Sequence, residues 1–230
     1  MRQNSQSHKK ADRNLSGRQR KKNKEMRTLL LIGIPMLIAA ILLAILYERN
    51  QSTDFDQARL IREDSAIYGS PDAPVTIVEF FDPECEACRA AYPTIKEIVD
   101  TSNGQVRLVI RYSPRHVNSM QAALAIEAAG EQGRYWDMMD LLINRQTEWG
   151  EQRVETPEVF ATYAQELGLN MTLFETARQN PTYRAKIERD RQDGEAVGVD
   201  GTPTFFVNGE LVEPLSYARL LEMIEAALGE

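Results

Sequence analysis

The feature that most constrains this chain is a strand-to-helix junction that carries its only two cysteines, Cys85 and Cys88, just after the apolar run Val75–Phe81. A thiol at a helix N-terminus faces unpaired backbone N–H groups and the positive end of the helix dipole, both of which favour thiolate. Redox chemistry is therefore the first expectation. A structural zinc site needs four ligands and haem attachment needs a His after the second Cys. The chain has only His8 and His116, and Arg89 follows Cys88, so neither use fits and no metal or cofactor is expected.

The N-terminal segment 1–27 holds ten Lys/Arg and two acids and cannot form a core. Residues 28–47 follow without a single charge. At 1.5 Å per helical residue that run suffices to cross a bilayer core of about 30 Å. The basic flank is long and no small-x-small cleavage site follows the run, so an uncleaved signal anchor is predicted, with the tail in the cytoplasm and the rest of the chain outside it. That compartment permits disulfides. From Glu48 onward 17 Lys/Arg stand against 32 Asp/Glu, a balance of −15 that the whole-chain value of −7 conceals, so nucleic acid is excluded as an expected partner.

Residues 48–68 read as a juxtamembrane linker and the turn-rich Gly69–Pro74 as the start of one domain, 69–230. Val75–Phe81 and Val106–Tyr112 predict buried strands, with a helix between them that Pro93 should kink rather than end. Residues 118–191 carry no strand signal and predict an all-helical block. Thr204–Val207, the turn Asn208-Gly209 and Glu210–Val212 predict a hairpin, because Asn-Gly supplies the positive φ angles of a tight turn. An amphipathic helix, 216–228, ends the chain.

The run Val-Glu-Phe-Phe-Asp-Pro-Glu-Cys-Glu-Ala-Cys-Arg, together with Gly201-Thr202-Pro203-Thr204-Phe205-Phe206-Val207-Asn208-Gly209, resembles the DsbA-like branch of the thioredoxin superfamily from about Ser65 to Leu228. Glu127–Trp136, inside the helical block, resembles the same branch. The resemblance implies an α/β thioredoxin fold with a helical insertion at about 118–191. It also implies thiol–disulfide exchange on exported, cysteine-containing proteins, and a membrane redox partner of the DsbB or DsbD type.

Residue by residue, the resemblance implies that Cys85 is the exposed attacking thiolate and Cys88 the buried resolving thiol of a redox-active disulfide. Thr202 and Pro203, the latter matching the family's cis proline, would lie beside the sulfurs and present backbone to a substrate peptide. Glu79, in the first predicted strand, matches the acid that relays the second cysteine's proton. Glu86-Ala87 departs from relatives with Pro-His between the cysteines. With Asp82 and Glu84 close by, Glu86 should oppose a negative Cys85, leaving a thiolate pKa below the free value of about 8.5 but not extreme. His116 is expected on the surface and Trp136 in the core. The alternative is a copper carrier or redox-inactive chaperone that uses the same two sulfurs.

Overall fold

The computed structural model describes residues 34, 36, 37, 41, 43 and 58–229. The basic tail, most of the expected anchor and the first part of the expected linker lie outside the described residues. Among the described residues no helix is long and apolar enough to cross a membrane.

Five strands form one sheet: β1 (Ala66–Gly69), β2 (Val75–Phe81), β3 (Val106–Tyr112), β4 (Thr204–Val207) and β5 (Glu210–Leu211), in the order β1-β3-β2-β4-β5. β2 and β3 are parallel and every other pairing is antiparallel. All seven residues of β2 are buried, as expected of a β-branched and aromatic central strand covered on both faces. Helix α1 (Glu86–Thr101) connects β2 to β3 and runs on through Pro93. It buries Cys88, Tyr92, Ile95 and Val99, a stripe at helical spacing.

Six helices then form the insertion: α2 (Ser119–Gly130), α3 (Tyr135–Asn144), α4 (Gln146–Trp149), α5 (Pro157–Glu166), α6 (Met171–Arg178) and α7 (Pro181–Ala196). The block is helical throughout, as predicted. It contributes Ala122, Ile126, Met139, Trp149, Phe160 and Phe174 to the core that also holds Ile77, Phe81, Leu108 and Ile110 of the sheet. The last helix, α8 (Tyr217–Leu228), is capped by Ser216, whose hydroxyl accepts from Arg219 N.

A smaller cluster on the other face of the sheet joins Val78, Phe80, Val109 and Phe206 to Leu60 and Val199. There α7 lies close enough to β2 that a Cβ on Gly194 would stand 2.8 Å from the Phe80 ring, so only glycine fits. In the hairpin, Asn208 and Gly209 have φ of 48° and 90°, the turn predicted from their identity. Asn208 Oδ1 also accepts from Thr76 N at 2.8 Å, which helps hold β4 in register with β2. That register, Glu79 opposite Phe205 and Phe80 opposite Thr204, brings the Thr202–Pro203 loop to the cysteine end of the sheet.

Two expectations are corrected. The folded unit begins before Gly69: Leu60 is buried and β1 pairs with β3 from Ala66 opposite Ile110. The segment looked like a linker because its strand is only four residues long and its charges resemble a solvated stretch. Yet Arg62 binds Asp193 through Nε and Nη2, at 2.9 and 2.8 Å. Trp136 is only partly buried, edge-on to Tyr68 and Tyr135, while the fully buried tryptophan is Trp149. Helical spacing alone did not distinguish the two.

Candidate active site

The turn that presents the cysteines is built by Asp82. Its Oδ1 accepts from Glu84 N at 2.9 Å and its carbonyl accepts from Cys85 N at 3.1 Å, an arrangement that Asp followed by Pro favours. Cys85 thereby becomes the N-cap of α1, with φ −74° and ψ 125°. One turn along, Cys88 is fully buried, whereas Cys85 keeps 9% of its surface accessible. Both are free thiols here. Cys85 is less exposed than the resemblance implied, because the sulfur is tucked against the loop before β4, where the Thr202 carbonyl oxygen lies 3.3 Å away. The Thr202–Pro203 peptide bond is cis.

These surroundings separate the two thiols. The Cys85 pKa is lowered to about 5, chiefly by the hydrogen bond from Cys88; burial opposes this, and the Thr202 side chain and the N–H groups of Cys88 and Ala87 assist. Cys88 is pushed far up, first by burial, then by donating to Cys85 and by the negative field of Glu79. Only the first sulfur is therefore charged at neutral pH.

Glu79 points from β2 into the same core face as Ile77 and Phe81, by the alternation of a strand. It is fully buried, both of its oxygens lack a hydrogen-bond partner, and burial followed by the charge of Cys85 raises it to about 8. A carboxyl in that state takes up and gives back a proton near neutral pH. The structure thus brings Cys85, Cys88, Thr202, Pro203 and Glu79 together at one end of the sheet.

The acids between and before the cysteines are arranged differently from the sequence expectation. Glu86 is exposed and turned to Arg89, 3.9 Å away. Asp82 and Glu84 are buried and consumed by hydrogen bonds. Asp82 Oδ2 accepts from Arg115 N and contacts His116 Nδ1, both at 2.7 Å. Glu84 accepts from Asn118 N at 2.5 Å and Glu151 N at 3.1 Å, fastening the active-site turn to the start of α2 and to the loop after α4. None of these carboxylates is among the principal influences on Cys85.

Gln146, for which the sequence carried no signal, completes the frame. Its amide donates to the carbonyls of Pro83 and Cys85 at 2.8 and 3.1 Å, and its Oε1 accepts from Arg89 Nε at 3.0 Å. The helical insertion is thus bonded to the active-site turn. Beside the sulfurs, a groove of about 600 Å³ runs between α1 and the start of α8, lined by Ala87, Ala91, Ile95, Pro203, Phe205 and Tyr217 among others.

The thioredoxin family model matches residues 62–226. Among solved structures, oxidised BdbD from Bacillus subtilis is 27% identical, with a TM-score of 0.62 over 72% of this chain and 94% of that one. A thioredoxin-like oxidoreductase from Silicibacter pomeroyi is 28% identical, with a TM-score of 0.64 over 75% of this chain and 98% of that one. α-DsbA1 from Wolbachia pipientis, 20% identical with a TM-score of 0.64 over 76% of this chain and 96% of that one, shares the fold. A curated relative, Na(+)/H(+) antiporter NhaA 1 of Salinispora arenicola, is 38% identical over 62% of this chain. The chain spans only 21% of that relative's length, so the antiporter's activity is not carried over. With the family matched across the whole sheet and insertion, the chain belongs to the thioredoxin superfamily as a DsbA-like member.

Proposed function

We propose that this protein is a thiol–disulfide oxidoreductase acting on cysteine-containing exported proteins. The observation that carries the reading is the split between the two sulfurs, Cys85 lowered to about 5 and Cys88 raised, above a buried carboxyl at about 8. In the reducing direction the Cys85 thiolate attacks a substrate disulfide, forming a mixed disulfide and releasing one substrate thiolate. Cys88 then gives its proton to Glu79 and attacks the Cys85 sulfur, so that the mixed disulfide breaks, the Cys85–Cys88 disulfide forms and the second substrate thiolate leaves. Oxidation of a substrate dithiol runs the same steps backwards. A thiolate stabilised at Cys85 favours the reduced pair, which makes the disulfide the more willing donor.

The groove beside Pro203 suits an apolar stretch of extended peptide, with the Thr202 backbone as its partner. Insulin reduction, and disulfide formation in a dithiol peptide, should proceed with the wild type and stop with Cys85→Ser. If the wild type turned over neither substrate while binding copper(I) through both sulfurs, the reading would give way to the carrier alternative.

The chain would act from the outer side of a bacterial cytoplasmic membrane, held there by the apolar segment 28–47 behind its basic tail, and would exchange electrons with a membrane protein of the DsbB or DsbD type. Fractionation of cells with alkaline extraction, and protease digestion of spheroplasts, test that placement. Release of the full-length chain by alkali would remove the anchor from the proposal.

A further inference from the structure

We propose that Glu97, in the apolar groove beside the sulfurs, is a specificity-determining residue that selects substrate segments with a lysine or arginine about four or five residues from the reacting cysteine. The inference deepens the exchange reading and rests on it. Of the described residues that line the groove, Glu97 is the only charged one. Leu215 and Tyr217, on the α8 side, are each 53% exposed and leave the groove accessible to a chain lying lengthwise along α1.

The cations that could neutralise Glu97 are committed elsewhere. Lys96, next to it in sequence, gives its ammonium to both oxygens of Asp140 on α3, at 2.8 Å each. Arg89, the other cation of α1, is engaged by Gln146 and Glu86. Arg219, the only cation of α8, lies 3.0 Å from Glu222. The hydroxyl of Thr101 donates to the backbone carbonyl of Glu97 at 2.7 Å, not to its side chain. Among the described residues no ion pair or hydrogen bond reaches the Glu97 carboxylate, which stands exposed to solvent.

Spacing sets the register. Ala87, beside the cysteines, and Glu97 lie on one helix, about 15 Å apart at 1.5 Å per residue. An extended peptide, rising about 3.3 Å per residue, covers that length in about four or five residues. A substrate cysteine held at Cys85 therefore sets its fourth or fifth neighbour against Glu97. A lysine or arginine there lays its stem on the apolar wall and its charged head at the carboxylate. An acid there is repelled, and the covering chain strips water from both charges. The balance of −15 from Glu48 onward attracts basic chains whatever their pattern, whereas Glu97 makes the attraction depend on position.

The test uses apolar peptides whose single cysteine is joined through a disulfide to nitrothiobenzoate, mixed with the reduced full-length chain. The Cys85 thiolate attacks the peptide sulfur, the old disulfide breaks, and the coloured thiolate leaves with the bonding electron pair, so its release reports the second-order rate. Peptides of one composition carry a lysine either four or five residues from the cysteine, on either side, or ten residues away. In the wild type at low ionic strength the best near-lysine peptide should react about threefold faster than the far-lysine peptide, a ratio that shrinks with added salt. The ratio should fall to about one in Glu97→Gln and below one in Glu97→Lys, and being a ratio it cancels any general loss in a variant. A wild-type ratio of one on both sides of the cysteine, or a ratio that persists in both variants, would overturn the proposal. A chain that released the coloured thiolate from no peptide would instead overturn the exchange reading on which the proposal stands.

Discussion

Adjacent central strands of this sheet each carry a buried ionisable residue, and the two are treated in opposite ways. Glu79 on β2 faces the core with no hydrogen-bond partner for either oxygen. Arg111 on β3, paired in register with Phe80, is equally buried but lies 2.9 Å from Asp190 Oδ1 and 2.7 Å from Asp193 Oδ2, and donates to the Arg59 carbonyl. Asp193 is pushed up by burial, but Arg62 and Arg111 prevail and hold it below the usual carboxylate range. Compensated charge of the second kind fastens the segment before β1 to α7. The lone carboxyl of the first kind, raised to about 8, is mostly neutral and exchanges a proton with the resolving thiol. A buried ionisable group is thus structural or chemical according to its partners, not its depth.

The comparison breaks most completely at the sulfur. Cys85→Ser should reduce insulin turnover to background while shifting the urea-derived stability by no more than about 1 kcal/mol, since Ser can still cap α1. A comparable loss of stability and activity would mean that the exchange end is not separable from the scaffold. Arg111→Met is the opposite case. It strands Asp190 and Asp193 and should cost about 3–5 kcal/mol by urea unfolding, while the folded fraction keeps its Cys85 reactivity towards an alkylating probe.

Glu79→Gln sharpens the contrast through pH. The folded carboxyl, at about 8, binds a proton that the unfolded one releases near 4.5, so the native state holds more protons across that window. Wild-type stability should therefore fall as pH rises from about 4.5 to about 8, by roughly 3 kcal/mol at pH 7. The Gln variant should lack this slope and resolve mixed disulfides more slowly; parallel pH–stability curves for the two proteins would show that Glu79 is not the group responsible. The smallest effect belongs to Glu84→Gln, which leaves one of the N–H groups of Asn118 and Glu151 facing an amide NH2. It should cost about 1–3 kcal/mol, measured by thermal unfolding, with the Cys85 pKa nearly unchanged.

Much of the scaffold was legible because local rules were obeyed. The apolar β-branched runs announced β2 and β3, Asn208-Gly209 announced the hairpin, and the absence of strand signals from 118 to 191 announced the insertion. β1 was not legible, since four residues give too short an alternation and the residues before it find their partners over a hundred positions away, as Arg62 does in Asp193. The effect of the acids near the cysteines was misjudged for a related reason. Sequence proximity placed Asp82, Glu84 and Glu86 beside Cys85, but hydrogen bonds from Glu84 N, Arg115, Asn118 and Glu151 consume the first two and solvent takes the third.

The chain by itself therefore determined the chemistry on offer: two thiols at a strand–helix junction, a Thr-Pro element to set beside them, and a carboxylate two residues from the strand's end. Their spacing is short-range and follows from local geometry. Only the tertiary structure decided how those groups are tuned. Which thiol is charged, whether Glu79 keeps its proton, that Gln146 braces the turn and that His116 is held by Asp82 all depend on burial and on partners from distant segments. A pKa is set by the solvent and charge around a group, and a linear sequence does not contain those surroundings.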